Sequence, residues 1–101
     1  MMNKNLHFLD ELFNTIEKKA KSKDPKSYTK KLLKSGKNKI AQKVGEESTE
    51  LIIDYLNGSK KRTVEEASDL IYHLLILLYS KKIKLSDIEN ELKKRKNVRS
   101  K

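Results

Sequence analysis

Cysteine is absent, proline occurs once, glycine three times and tryptophan not at all, and aromatic residues make up only 6% of the chain. Without cysteine there is neither a disulfide framework nor a thiolate metal site, so nothing asks for an oxidising compartment. So few turn residues, and no stretch alternating apolar and polar with period two, argue against β-structure. Long apolar runs are also missing. A membrane span needs about 18 such residues, whereas the longest run, Leu70 to Tyr79, has ten with His73 inside it. The opening Met1-Met2-Asn3-Lys4-Asn5 leads into an amphipathic segment rather than the apolar core of a signal peptide. The expectation is a soluble, unprocessed, cytoplasmic protein with no membrane partner.

What the chain has in quantity is charge. Lysine and arginine number 24 against 14 acids, a formal net charge of +10, which makes polyanions natural partners. Lysines crowd residues 18 to 43 and 93 to 101, and acids concentrate between 46 and 69. A solvated lysine-rich surface has the same composition, and no nucleic-acid recognition motif accompanies the charge, so no nucleic-acid partner is expected. The 101 residues make one domain, and a hydrophobic content of 36% is thin for a self-sufficient core. Both lean towards an oligomer.

Periodicity predicts four to five helices. Leu6, Leu9, Leu12, Phe13, Ile16 and Ala20 recur at steps of three and four, a helix from Leu6 to about Lys21 with one buried face, stopped by Asp24-Pro25. Ser27 reads as the N-cap of a short basic helix, Tyr28 to Ser35, closed by Gly36, with Tyr28, Leu32 and Leu33 packing. A third helix should run from Asn38 to Leu56 and break at Asn57-Gly58. Its core face is Ile40, Val44, Leu51 and Tyr55, beside a stripe of Lys43, Glu47, Glu50 and Asp54. Ser59 to Arg62 reads as a basic turn, after which Thr63 opens a long helix to about Lys82, with Thr63 and Glu66 spaced as a capping box. Its apolar face is Ala67, Leu70, Ile71, Leu74, Leu75 and Leu78. A last helix begins at Lys84-Leu85-Ser86, with Ser86 and Glu89 as a second capping box, and the basic tail from Lys93 to Lys101 is expected to fray. The fold class is all-α, an antiparallel bundle completed by dimerisation.

Two stretches carry the chemistry. In Lys43-Val44-Gly45-Glu46-Glu47-Ser48-Thr49-Glu50, the residues Glu47 and Glu50 stand three apart, as do Glu66 and Asp69 in Glu66-Ala67-Ser68-Asp69. At about 100° per residue each pair projects from one side of its helix. Facing helices would bring four carboxylates together, a cluster that repels itself until a cation neutralises it. All-oxygen ligation suits a hard ion, Mg²⁺ or Mn²⁺. Such an ion beside phosphate, with Lys43 one turn away as a point charge, is equipped to cut a phosphoanhydride. The competing reading is an ordinary wet face with Lys43 paired to Glu47 and Glu66 serving as a cap. His73 reads first as a core histidine satisfied by a hydrogen bond.

The joint pattern Glu46-Glu47-Ser48-Thr49-Glu50 followed by Glu66-Ala67-Ser68-Asp69 resembles the all-α, MazG-like nucleoside triphosphate pyrophosphohydrolases. Ser27-Tyr28-Thr29, the run from Ile40 to Glu47, and Asp69-Leu70-Ile71-Tyr72-His73 narrow the resemblance to the phosphoribosyl-ATP pyrophosphatases, over roughly Leu6 to Arg95. The resemblance implies hydrolysis of phosphoribosyl-ATP to phosphoribosyl-AMP and pyrophosphate in histidine biosynthesis, with Mg²⁺, by a homodimer. It implies metal ligation and catalysis by Glu47, Glu50, Glu66 and Asp69, with Glu46 as an auxiliary carboxylate. It puts Lys43, Ser27, Tyr28 and Thr29 at the substrate phosphates, and His73 on the substrate side. One departure is Lys18, Lys19 and Lys21, where family members often carry arginine. A housekeeping pyrophosphatase for non-canonical nucleotides would use the same carboxylates, and a basic nucleic-acid-binding helical protein would need none of them.

Overall fold

In a computed structural model, the backbone is described for residues 3–99 and side-chain surroundings for residues 7–96. Five helices follow one another: α1 Asn3–Lys21, α2 Tyr28–Ser35, α3 Lys37–Asn57, α4 Lys60–Ser80 and α5 Leu85–Arg99. The described residues contain no strand, so the all-α expectation holds. Leu6 of the expected α1 packing face and Asn97–Lys101 of the expected frayed tail lie outside the described side chains. The backbone of Lys93 to Arg99 is helical.

Local chemistry sets the helix ends. Ser27, in extended backbone, accepts the Lys30 amide on its hydroxyl at 3.2 Å, as its N-cap role requires. Gly36 ends α2 and begins α3 at φ +97°, a conformation that side chains with a Cβ avoid. At Gly58 a Cβ would sit 2.7 Å from Asp54 Oδ1 and 2.9 Å from the Asp54 carbonyl oxygen, so the link from α3 to α4 can be this tight only with glycine. Ser59 then caps α4 by accepting the Arg62 amide at 3.1 Å. This corrects two expectations at once. Residues 60–62 are the first turn of α4 rather than a loop, and the Thr63 hydroxyl donates backwards to the carbonyls of Ser59 and Asp54, so Thr63 and Glu66 form no capping box. The cap of α5 differs too: Asp87 accepts the Lys84 amide at 2.9 Å, whereas Ser86 lies inside the helix and Glu89 pairs with Lys93.

The two long helices form an antiparallel hairpin joined by Gly58-Ser59. Its core lies at one end, where Ile40 from the start of α3 meets Leu75, Ile76 and Leu78 from the end of α4. Helices α1 and α2 close that end with Ile16 and Leu32. Helix α5 makes no comparable packing among the described residues. The expected apolar faces need adjustment. Ile76, left out of the α4 face, is fully buried, while Ile71 and Leu74 are exposed. Tyr55, assigned to the α3 core face, is 74% exposed, because the side of α3 that meets α4 is the one carrying Glu47. Ile52, Ile53, Leu56 and Val64 are left exposed at the far end of the hairpin. The radius of gyration, 15.4 Å, exceeds the approximately 13 Å of a compact domain of about 100 residues.

The end of α4 stores strain. Lys82 adopts φ 63°, its amide bonding the Tyr79 carbonyl at 2.9 Å and the Ile83 amide bonding Leu78 at 2.9 Å, which together form a Schellman closure. A non-glycine residue in this left-handed conformation costs about 1 kcal/mol. Lys82→Gly should therefore stabilise the fold by about that amount in denaturant unfolding. A destabilised variant would show that the lysine side chain, rather than the backbone conformation, matters there.

Candidate active site

Each step of three or four down α3 is matched by the same step up α4. Glu47 faces Asp69, Glu50 faces Glu66, and Asp54 faces Arg62. Of the four acids predicted to converge, Glu47, Glu66 and Asp69 do so, and Glu50 adjoins them through Glu66. One carboxylate oxygen from each of Glu47, Glu66 and Asp69 lies within 4.8 Å of the other two. Glu50 stands outside that group, with its carboxyl against that of Glu66. Glu47 and Glu66 are buried, at 7% and 6% exposure, whereas Glu50 and Asp69 face solvent. Charge therefore enters the interior from one open side.

Glu66 feels this most. The adjacent Glu50 carboxyl pushes its pKa above the ordinary glutamate value, burial and Asp69 push the same way, and Arg62 opposes them. The Arg62 guanidinium reaches Glu66 Oε2 at 3.1 Å, Glu65 at 3.2 Å and Asp54 at 3.7 Å. Arg62 was missed from the sequence because it was assigned to a turn. Its spacing of four from Glu66 was the available signal, once the helix is known to start at Lys60. On the other flank Lys43 lies 3.6 Å from Glu47 and 3.7 Å from Glu46. Burial draws its pKa down, but Tyr28, Glu47 and Glu46 outweigh that, leaving it raised and the ammonium firmly charged.

The two cations leave the cluster incompletely served. Glu47 Oε1 and Glu66 Oε1 are buried and have no hydrogen-bond partner. Ionised carboxylates only accept, so neighbouring acids cannot satisfy one another, and buried acceptors left bare are costly. A hard divalent cation among these oxygens supplies what is missing, and the donor set is of the all-oxygen kind that Mg²⁺ and Mn²⁺ take. Glu46 does not join the group. One residue from Glu47, it points about 100° round the helix, where it is exposed. The Gln42 amide at 2.9 Å, with Lys43 and Lys39, holds its carboxyl below the ordinary range against slight burial.

The remaining predicted residues lie where α2 meets α4. Tyr28 is half-exposed, and its hydroxyl is 2.7 Å from His73 Nε2. Burial pushes its phenol pKa up, against the opposing charge of Lys43. Thr29, expected to face substrate, is buried at 1% exposure and bonds the Tyr72 hydroxyl. Ser27 spends its hydroxyl as the α2 cap. His73 is buried with both nitrogens engaged, Nδ1 meeting the Asp69 carbonyl at 2.8 Å.

A glutamate with a raised pKa in the fold binds more protons there than in the unfolded chain, over the range between the two pKa values. The metal-free protein therefore gains stability as pH falls through that range, and loses it as pH rises. Glu66→Gln in the presence of a chelator should melt higher than the wild type at pH 7, with the difference shrinking as pH approaches the ordinary glutamate value of 4.5. Equal melting curves at pH 7 would show that these carboxylates do not repel in the fold.

The sequence profile of the family described as Phosphoribosyl-ATP pyrophosphohydrolase matches residues 9–96. The phosphoribosyl-ATP pyrophosphatase of Sulfolobus acidocaldarius is 48% identical over 87 residues, covering 86% of this chain and 92% of the relative. That of Clostridium novyi is 42% identical over 92 residues, covering 91% and 84%. The bifunctional histidine biosynthesis protein HisIE of Bacteroides thetaiotaomicron is 46% identical over 88 residues, 87% of this chain but 43% of that longer protein. With nearly the whole chain matched, and with Glu47, Glu66 and Asp69 meeting across one helical hairpin, the protein belongs to the phosphoribosyl-ATP pyrophosphohydrolase family.

Proposed function

We propose that the chain hydrolyses phosphoribosyl-ATP between its α and β phosphates, adding water to give phosphoribosyl-AMP and pyrophosphate, as a step of histidine biosynthesis. The observation that carries this reading is the pair of bare, buried carboxylate oxygens on Glu47 and Glu66, in a chain of this family. Glu47, Glu50, Glu66 and Asp69 would hold Mg²⁺, or Mn²⁺ in its place, which when bound would offset charge on the phosphates and acidify a water.

The protein's own residues do the rest. Buried Glu47 and Glu66 are fixed in place by Lys43 and Arg62, so the ligand geometry is set before substrate arrives. Glu50 is solvent-facing, with its carboxyl against that of Glu66, and would complete the ligand set from the open side. Lys43 stays charged and offers its ammonium to a phosphate oxygen.

The working unit is a homodimer. Ile52, Ile53, Tyr55, Leu56 and Val64 leave the far end of the hairpin apolar and open, larger than scattered surface residues explain. The elongated shape and the loosely packed α5 fit half of an assembly. No helix among the described residues is long and apolar enough to cross a membrane, and we place the enzyme in the cytoplasm.

Pyrophosphate release from phosphoribosyl-ATP should stop in excess chelator and return on adding Mg²⁺. Full activity in chelator would remove the metal from the reading, and faster turnover of free non-canonical nucleoside triphosphates would reassign the substrate. Light scattering should give a dimer at micromolar concentration, and Leu56→Lys should weaken it. A monodisperse wild-type monomer would contradict the dimer.

A further inference from the structure

Two adjacent residues of α2 bond two adjacent residues of α4: Tyr28 to His73, and Thr29 to Tyr72. The His73 ring is held on every side. Tyr28 meets it edge-on with centroids 5.7 Å apart, and Tyr72 does so at 5.9 Å. Its Nδ1 faces the Asp69 carbonyl oxygen at 2.8 Å. A carbonyl has no proton to give, so Nδ1 carries the hydrogen, and in the neutral ring Nε2 is bare. The hydrogen of the 2.7 Å contact therefore belongs to Tyr28, whose O–H donates to His73.

This decides what Tyr28 can offer. Its one proton is spent on His73, so towards the open side its oxygen can only accept. Phosphate oxygens at neutral pH also only accept. The half-exposed phenol is thus unsuited to a phosphate and suited to a hydroxyl donor, which the substrate carries on its ribose rings.

We propose that His73 is a positioning residue that turns Tyr28 into an acceptor for a ribose hydroxyl of the substrate, with Tyr72 and Thr29 fixing α2 at the distance this needs. The proposal rests on the pyrophosphohydrolase reading. It moves Tyr28 from the phosphate to the sugar, and it leaves Thr29 with no direct contact to substrate. The role is distinct from metal ligation: His73 has no free nitrogen, and Tyr28 stands on a helix that contributes none of the four carboxylates.

The test is steady-state kinetics of the full chain on phosphoribosyl-ATP with Mg²⁺. Tyr28→Phe and His73→Leu should each raise KM about tenfold, the scale of one hydrogen bond, with kcat within about threefold of wild type. The double variant should be no worse than Tyr28→Phe alone, because His73 acts on the sugar only through the Tyr28 hydroxyl. His73→Gln, which can still accept from Tyr28, should return KM to within about threefold of wild type. Product inhibition separates sugar from phosphate. In Tyr28→Phe, inhibition by phosphoribosyl-AMP should weaken and inhibition by pyrophosphate should not.

Wild-type KM in His73→Leu, multiplied losses in the double variant, or weakened pyrophosphate inhibition would each overturn the proposal while leaving the pyrophosphohydrolase reading intact. Absence of wild-type turnover would sink both. If His73→Leu fails to fold by circular dichroism, Tyr28→Phe decides alone, since it removes one atom from a half-exposed ring.

Discussion

Four carboxylates face one another across the α3–α4 hairpin, and their mutual repulsion is the constraint that the rest of the chain answers. An antiparallel pair of helices ordinarily gains by burying apolar side chains along its whole seam. Here the middle of the seam is given to Glu47, Glu50, Glu66 and Asp69, so the hairpin must be held elsewhere. It is held at one end by Ile40 against Leu75, Ile76 and Leu78. At the other end the Gly58 turn, the Thr63 hydroxyl on the Asp54 carbonyl and the Arg62 to Asp54 pair close it. Fixed register at both ends forces the acids to meet. Repulsion stored this way favours a cation, because binding it removes an unfavourable interaction that the folded state already carries.

Lys43 and Arg62 flank the cluster symmetrically, one a turn before Glu47 and the other a turn before Glu66. Neither replaces a metal. Each reaches one carboxylate from its own helix, and each is drawn aside by other acids, Glu46 for the lysine and Glu65 and Asp54 for the arginine. What remains is a site whose outer oxygens are oriented and whose inner oxygens are bare. Helices α1 and α2 belong to the same design. They seal the apolar end and bring the Tyr28 phenol beside the carboxylate band, close enough for Lys43 to act on it.

Sequence spacing alone was a good guide wherever the deciding interaction lies within one helix. The pairs Glu47 with Glu50 and Glu66 with Asp69 share a face at any helix position, and Ser27, Gly36 and Gly58 mark helix ends through backbone chemistry that needs no tertiary partner. It failed where two local signals competed. Thr63 and Glu66 have capping-box spacing, but Ser59, four residues earlier, wins the cap, and the difference turns Arg62 from a loop residue into the ion partner of Glu66. At α5 the Lys84 amide is satisfied by Asp87 from within the first turn, and Ser86 caps nothing. Tyr55 was placed in the core because an aromatic at helical spacing normally belongs there, but the buried side of α3 is the acidic one.

The sequence by itself determined the helical class, the carboxylate pairs and the family, since each depends on residue identity and short spacing along one chain. Only the tertiary structure decided which carboxylates are buried, which of their oxygens are bare, and which nitrogen of His73 carries the proton. Those are properties of neighbours brought from distant positions: Tyr28 lies 45 residues from His73 and Thr29 lies 43 from Tyr72. No local pattern encodes which partner a buried hydroxyl or imidazole will meet, because that depends on how α2 lies across α4. The direction of a hydrogen bond follows only once both ends of it are known.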